Sequence, residues 1–444
     1  MNILLIHSHD TGRYIQPYGY AVETPNLMKL AKEGILFRNV FCAGPTCSPS
    51  RAAMLTGMSP HSCGMLGLAH RGFQIDNYKK HLVNFLNNNG YETVLCGIQH
   101  EAPETEIIGY SKILDEQDYH MGTQKSDWAE WDMANAERVA SYLKTVSKNR
   151  PVFISYGIFN PHRVFQKIDE DIDPDYVLPP YGISNTPQNR KDTAAFLTSV
   201  KVMDKCVGIV LQGLKESGLA DDTVIIYTTD HGPAFPKMKC TLYDDGIGTA
   251  FIMSCPGIIK KAKAVDSLIS HLDLFPTLCD ILELEKPDWL EGESFYQIIT
   301  GEKDKTRDYI YSEVSFHVAY EPLRCIRSEH YKYIKFYDDH DRYALSNIDD
   351  SPGKELMIKS GYMDVSREKE ILFDLCLDPE ERINCAKDER YSKIKEDLSE
   401  RLEKWMTYTN DPLLKGRIIP PDGALVNALD TISPSEKRFV NYKG

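Results

Sequence analysis

The chain has 444 residues, enough to bury a large core in one big domain plus a smaller one or in two of middling size, and it carries no internal repeat or low-complexity segment. Its formal net charge of −14, from 65 acidic and 51 basic residues, repels nucleic acid and other long polyanions, so an anionic substrate has to be small or enter a locally basic pocket by one end. No run of about eighteen apolar residues is available to span a membrane, and eleven scattered cysteines without a CxxC pair read as reduced, mostly buried thiols.

The opening MNILLIHSHD has neither a basic segment nor an apolar run long enough for a signal peptide, so a cytoplasmic location is expected unless a leader has been removed. Residues 2–7, NILLIH, are a short apolar run broken at once by polar residues, the pattern of a buried parallel strand feeding a loop. TPNLMKLAKEG follows, a helix pattern with Thr24 at its cap and a terminal glycine, and YKKHLVNFLNNNG is a second. The strand runs ETVLCG, PVFISYGIF, DTVIIYTTD and TAFIMSCPG then alternate with helical patterns over 127–148 and 189–218. Such alternation predicts an α/β fold with a large, mostly parallel sheet flanked by helices across residues 1–305. From about residue 306 the texture changes. RDYIYSEV, LRCIRSEHYKYIKFY and EILFDL are strands set close together, followed by one helix pattern at 393–408. A smaller C-terminal α+β subdomain with an antiparallel sheet is expected over 306–444.

Ligands of open parallel sheets sit beyond the carboxyl ends of the strands, so the informative residues are those just after each run. There stand His9 and Asp10, His100, His162, and Asp230 with His231, from four separate segments. A lone histidine after a strand is more often a structural hydrogen-bonding residue, but a shared sheet edge makes the set a candidate site. Aspartates with an imidazole suit a divalent cation, the carboxylates favouring hard ions and the imidazole admitting Mn²⁺ or Zn²⁺.

Between the first two strand-loops lies PTCSPSRAAMLTG, where Cys47, Pro49 and Arg51 form C-x-P-x-R ahead of a helical run. CSPSRAAMLTG resembles the modification signature of the type I sulfatases of the alkaline phosphatase superfamily, and the likeness continues through NILLIHSHDTG, NPHR, YTTDHG, HLDLFPTLCDIL and LFDLCLDPEERINCA. Within that family the long segments CSPSRAAMLTGMSPHSCGMLGL and NTPQNRKDTAAFLTSVKVMDKCVGIVLQGL are similar to the heparan N-sulfatase (N-sulfoglucosamine sulfohydrolase, or sulfamidase) branch. The resemblance implies an alkaline-phosphatase-like fold and a formylglycine made from Cys47 by a maturase, its hydrated form supplying an oxygen that attacks sulfur. Arg51 would hold that diol, and Asp10, Asp230 and His231, with the side chain at position 47, would bind a cation, Ca²⁺ ranking before Mn²⁺ and Zn²⁺. Lys239 would bind sulfate, His100 would act as base, and His162 would bind sulfate and protonate the leaving atom.

Two positions depart from the family pattern. The usual pair of aspartates is His9-Asp10, and the lysine usually two residues before the catalytic histidine is Ile98. One change removes a negative charge from the metal site and the other a positive charge beside it, so the two are expected to be coupled. His9 either joins the metal or turns away to hydrogen-bond a carboxylate.

For the substrate the candidates are Arg163, then His70 and Arg71 after the modified helix, and His317 and Arg324 from the second domain. They suit a terminal ring of a sulfated mono- or oligosaccharide. The expected reaction is hydrolysis of sulfate from a glucosamine-type saccharide, the N-sulfate first. An O-sulfatase or arylsulfatase, and a phosphonate hydrolase of the same superfamily, share the nucleophile and metal. A non-catalytic saccharide-binding relative with unmodified Cys47 stands apart from all three. The family resemblance also implies a homodimer.

Overall fold

Every residue of NILLIHS is buried, and its side chains alternate between two apolar cores. Leu4 and Ile6 join one cluster with Val94, Ile154, Tyr156, Ile225 and Tyr227, while Ile3 and Leu5 join another with Phe153, Val224, Ile226 and Met253. A strand apolar on both faces belongs in the middle of a sheet covered on both sides, and that is where it lies. The computed structural model describes residues 1–115, 127–147, 149–259 and 261–442; Lys148, the end of one predicted helix, falls outside them.

The large sheet contains β1 (Asn2–Ser8), β2 (Ile35–Phe41), β3 (Glu92–Gly97), β4 (Lys112–Ile113), β5 (Val152–Gly157), β6 (Thr223–Thr229), β7 (Gly248–Ser254), β8 (Lys263–Val265) and β9 (Ile269–Ser270). Its order is β4-β3-β5-β1-β6-β7-β2-β8, with β9 also on β2. Strand β7 is antiparallel to both neighbours, β6 and β2, and the other pairings are parallel. The expected mostly parallel sheet is therefore present, with one reversed strand. Helices Pro25–Glu33, Trp128–Leu143 and Pro187–Ser217 cover one face. Helices Cys47–Thr56, Leu82–Asn88 and Leu274–Ile281 cover the other.

Thr24 sits at the cap position of helix Pro25–Glu33, but its hydroxyl accepts from Gln16 N instead. Asp204 of the long helix caps it in trans, its carboxylate accepting from Asn26 N at 3.1 Å and Leu27 N at 2.9 Å. The long helix is thereby tied to the first one, which fixes the wall behind the site.

The second sheet runs β10 (Ile310–Phe316), β11 (Tyr320–Arg327), β12 (Tyr331–Phe336) and β13 (Glu370–Asp374), antiparallel throughout. One face buries Leu398, Leu402 and Met406 of helix Ser392–Tyr408 together with Met58, Met65 and Phe73, which follow the Cys47 helix. The other packs Val314, Leu323 and Ile334 on Phe41 at the end of β2 and on Leu242 and Ile247, which precede β7. Two apolar seams thus hold the second sheet against the mouth of the first.

Candidate active site

Strands β1, β3, β5 and β6 run in one direction, so the residues after each emerge along one edge: His9-Asp10 from β1, His100 from β3, His162 from β5 and Asp230-His231 from β6. The edge is tightly built. A Cβ on Gly157 would lie 1.9 Å from Ile98 O and 2.8 Å from the His7 ring, so only glycine lets β3 and β5 converge there. Asp10 (φ 42°) and His100 (φ 61°) are both held in the left-handed region, a cost of order 1 kcal/mol or more for a non-glycine residue that the surrounding packing has to offset.

Asp230 is the hub. Its Oδ1 accepts from Asp10 N and His231 N, each at 2.9 Å, and its Oδ2 accepts from Arg51 Nη2 at 3.1 Å and faces His9 Nδ1 at 3.0 Å. Burial alone would favour the protonated acid; His231, Arg51 and His9 overcome it and hold the carboxyl well below the usual carboxylate range. His9 is completely buried, and burial with the nearby Arg51 brings its pKa down to about 3, so at neutral pH it is an uncharged ring directed at a carboxylate. One of its nitrogens also lies within 4.8 Å of donor atoms of Asp10, Cys47 and His162.

Cys47 is the first residue of helix Cys47–Thr56 and is 3% exposed. Its Sγ lies 3.4 Å from His231 Nε2, which in turn is 3.5 Å from Asp10 Oδ1. Burial pushes the thiol up, with Lys239 opposing, so an unmodified cysteine here is neutral and a weak nucleophile at neutral pH. One turn on, Arg51 donates through Nη2 to Ser8 O and Asp230 Oδ2, both at 3.1 Å, and through Nη1 to His7 Nδ1. His7 passes the constraint on, since its Nε2 pairs with Ser155 Oγ at 2.9 Å. Ser50 Oγ donates to Asp230 O, so the signature helix is bonded to the β6 end by two residues of the motif.

The opposite side of the site is cationic. Lys239 Nζ lies 3.0 Å from Asp10 Oδ2, 3.5 Å from Asp349 Oδ2 and 3.5 Å from His162 Nε2. Burial would lower its pKa, but Asp10 and Asp349 hold it well above the usual lysine value. His162 keeps 23% of its side chain exposed; its Nδ1 contacts Arg163 O, and its Nε2 lies 3.5 Å from Lys239 Nζ and 3.9 Å from Asp10 Oδ2. His70 is exposed at the mouth, its ring 6.4 Å from that of His100, and His317 is buried at the same mouth, close enough to Lys239 and Asp349 to feel both charges.

Three of the arginines expected to touch substrate are committed elsewhere. Arg324 is wholly buried; its Nε and Nη2 form a fork on Asp411 at 2.6 and 3.0 Å, and Nη1 donates to Val314 O. It closes a buried ion-pair cluster with Glu313 and with His61, which joins the second sheet to the segment after the Cys47 helix. Arg163 makes a bidentate pair with Asp192 at 2.9 and 2.6 Å and donates to Ala234 O, pinning its loop to the long helix. Arg71 donates to Leu425 O and Asn427 Oδ1, holding the C-terminal tail. In Arg324 and Arg163 every guanidinium nitrogen donates to a protein acceptor, and in Arg71 Nε and Nη2 do. Asp349 and His7 escaped sequence reasoning. Asp349 sits in IDDSPG, which reads as an ordinary helix start, and His7 lies inside the strand run.

Asp10, Asp230, His231 and Cys47 place donor atoms within 4.8 Å of one another, and Asp10 Oδ1 is buried without a hydrogen-bond partner among the described residues. An orphaned carboxylate oxygen facing a second carboxylate and an imidazole fits a divalent cation.

A family model described as Sulfatase matches residues 1–284, and one described as N-sulphoglucosamine sulphohydrolase, C-terminal, matches residues 235–371. The chain is 29% identical to the N-sulphoglucosamine sulphohydrolase of Homo sapiens over 96% of its length and 93% of that protein's. It is 26% identical to an ulvan-active sulfatase of Formosa agariphila over 96% of this chain and 77% of that one. Its fold is shared with a solved protein in complex with its substrate D-glucosamine-2-N,6-O-disulfate, at a TM-score of 0.69 and 19% identity over 92% of this chain and 98% of the other.

Proposed function

This chain belongs to the sulfatase family, and on that premise we propose that it removes the N-sulfate from a glucosamine at the end of a small heparan-type saccharide. It is a hydrolase of sulfated saccharides; the N-sulfate reading rests on the 29% identity to N-sulphoglucosamine sulphohydrolase along nearly the whole chain, C-terminal region included.

In this reading Asp10, Asp230, His231 and the side chain at position 47 hold a divalent cation, Ca²⁺ first, whose charge polarises the sulfate. A formylglycine made from Cys47 by a modifying enzyme supplies a hydroxyl nucleophile, which the neutral thiol does not. Arg51 fixes Asp230 and the strand end beneath them. Lys239 binds a sulfate oxygen, its ammonium kept charged by Asp10 and Asp349. His162, whose side chain is 23% exposed and whose Nε2 lies beside Lys239, gives a proton to the departing nitrogen as the S–N bond breaks. His100, uncharged because burial and the neighbouring His9 hold its pKa well below the usual imidazole value, is a proton acceptor at neutral pH. His70 and His317 at the mouth meet the sugar ring.

The test is sulfate or phosphonate release from a panel of N-sulfoglucosamine, 6-O-sulfoglucosamine, 4-nitrophenyl sulfate and a monoester of phenylphosphonate. The highest kcat/KM is expected on N-sulfoglucosamine. A preference for the 6-O-sulfate would favour the O-sulfatase reading, which the similarity to the ulvan-active sulfatase supports, and a preference for the phosphonate monoester would refute both.

A further inference from the structure

Asp349 is a carboxylate beside Lys239 that neither the cation cluster nor the proton transfers use. Asp349 lies just after the turn Leu345–Asn347 and before helix Pro352–Lys359. Its backbone is fixed from both sides. Asn347 Oδ1 accepts from Val318 N at 3.0 Å and Ala319 N at 2.8 Å at the start of β11, and Ser351 caps the following helix. The neighbouring Asp350 turns outward to Lys354 and Ser433. Asp349 turns inward, placing Oδ2, which is excluded from solvent and accepts no hydrogen bond among the described residues, 3.5 Å from Lys239 Nζ, while 20% of the side chain stays exposed and within reach of a ligand. Lys239, His317, His162 and Arg163 surround it with positive or protonatable groups and keep it ionised.

Asp349 helps to keep Lys239 charged, but a carboxylate beside that lysine also repels a bound sulfate. A donor on the substrate that meets the exposed part of the carboxylate offsets that repulsion. The lysine it faces is also 3.5 Å from His162 Nε2, the group aimed at the leaving atom, so the donor belongs near the bond that breaks. In a sulfamate the bridging atom is N–H; in a sulfate ester it is an oxygen with lone pairs only. As the nucleophile oxygen at position 47 bonds to sulfur and the S–N bond breaks, the electron pair stays on nitrogen, the proton from His162 completes the neutral amine, and a second proton from solvent converts that amine to ammonium. A carboxylate is favourable to the N–H at the start and to the ammonium at the end, and unfavourable to the developing negative charge of an ester oxygen.

We propose that Asp349 is the specificity-determining residue of this enzyme, accepting a hydrogen bond from the sulfamate N–H and so selecting N-sulfate over O-sulfate. The inference rests on the N-sulfate reading above.

The test compares wild type with Asp349→Asn, an isosteric change at a half-buried loop position, on N-sulfoglucosamine and 4-nitrophenyl sulfate. The expected result is a loss of about 10- to 100-fold in kcat/KM on the sulfamate, the range for a hydrogen bond to a charged group, with a much smaller loss on the ester, so that the selectivity ratio falls. Asp349→Glu should recover part of the ratio. Equal losses on both substrates would mean that Asp349 only orients Lys239, and would overturn the proposal while leaving the N-sulfate reading intact. A wild-type enzyme that turns over the aryl sulfate but not N-sulfoglucosamine would overturn both.

Discussion

Arg51 and Arg324 are both buried arginines paired with buried aspartates, yet the structure gives them different work, and replacing each by methionine separates stability from catalysis. Arg51→Met removes the contacts of Nη2 to Asp230 Oδ2 and Ser8 O at 3.1 Å and of Nη1 to His7, leaving Asp230 with His9 and two backbone amides. Breaking a buried pair from one side costs about 3–5 kcal/mol. With a urea dependence near 3 kcal/mol per molar, the unfolding midpoint should drop by roughly 1–1.7 M. Arg324→Met breaks the fork on Asp411 and should cost a similar amount, at a site that touches neither position 47 nor the strand-end cluster. Urea titrations followed by tryptophan fluorescence, with sulfate release measured per folded molecule, give the comparison. Both variants should be destabilised alike, with turnover lost only in Arg51→Met. Wild-type turnover in folded Arg51→Met, or an equal catalytic loss in Arg324→Met, would refute the division of labour drawn here.

Ile98 is completely buried and clusters with Trp128 and Phe159, whose ring is 6.0 Å from that of His9. Ile98→Lys introduces a cation beside a site that holds one carboxylate fewer than its relatives' pattern, and should weaken Ca²⁺ binding in calorimetry; unchanged affinity would show that the two departures are independent. Asp132 accepts from Phe159 N, Asn160 N and Asn160 Nδ2 at the root of the His162 loop, and burial outweighs those bonds to raise its pKa to about 7. A carboxyl whose folded pKa is raised binds more protons folded than unfolded, so it removes stability as pH climbs from about 4 toward 7. Asp132→Asn should flatten that slope in denaturant midpoints measured across pH, and an unaltered slope would count against a buried, raised Asp132. Dialysis against a chelator should abolish sulfate release and added Ca²⁺ should restore it; full activity after chelation would exclude the cation role of Asp10, Asp230 and His231.

The strand ends were legible because chemistry at the edge of a parallel sheet must follow an apolar run, and His9, Asp10, His100, His162, Asp230 and His231 each do. The signature helix was legible for the same reason in reverse: Cys47 to Arg51 spans one turn, which puts both on the sheet side. The substrate arginines were not. Whether a guanidinium faces solvent or a buried partner depends on residues far away in the chain, Asp411 for Arg324 and Asp192 for Arg163, and no local pattern encodes them. Asp349 was invisible for a related reason, since its neighbour Asp350 has the same side chain and turns the other way. The capping of helix Pro25–Glu33 by Asp204 shows the limit at the level of fold: Thr24 has the right identity and position, and tertiary packing supplies a different cap.

The claim that position 47 carries the nucleophile at the centre of this cluster is tested most directly by mass spectrometry of the Cys47 peptide, read against the turnover of the same preparation. Formylglycine lowers the peptide mass by about 18 Da relative to cysteine. Across preparations with different extents of modification, sulfate release should rise in proportion to the modified fraction and vanish in Cys47→Ala. Turnover that stays constant while the modified fraction varies, or that persists in a wholly unmodified chain, would contradict the account.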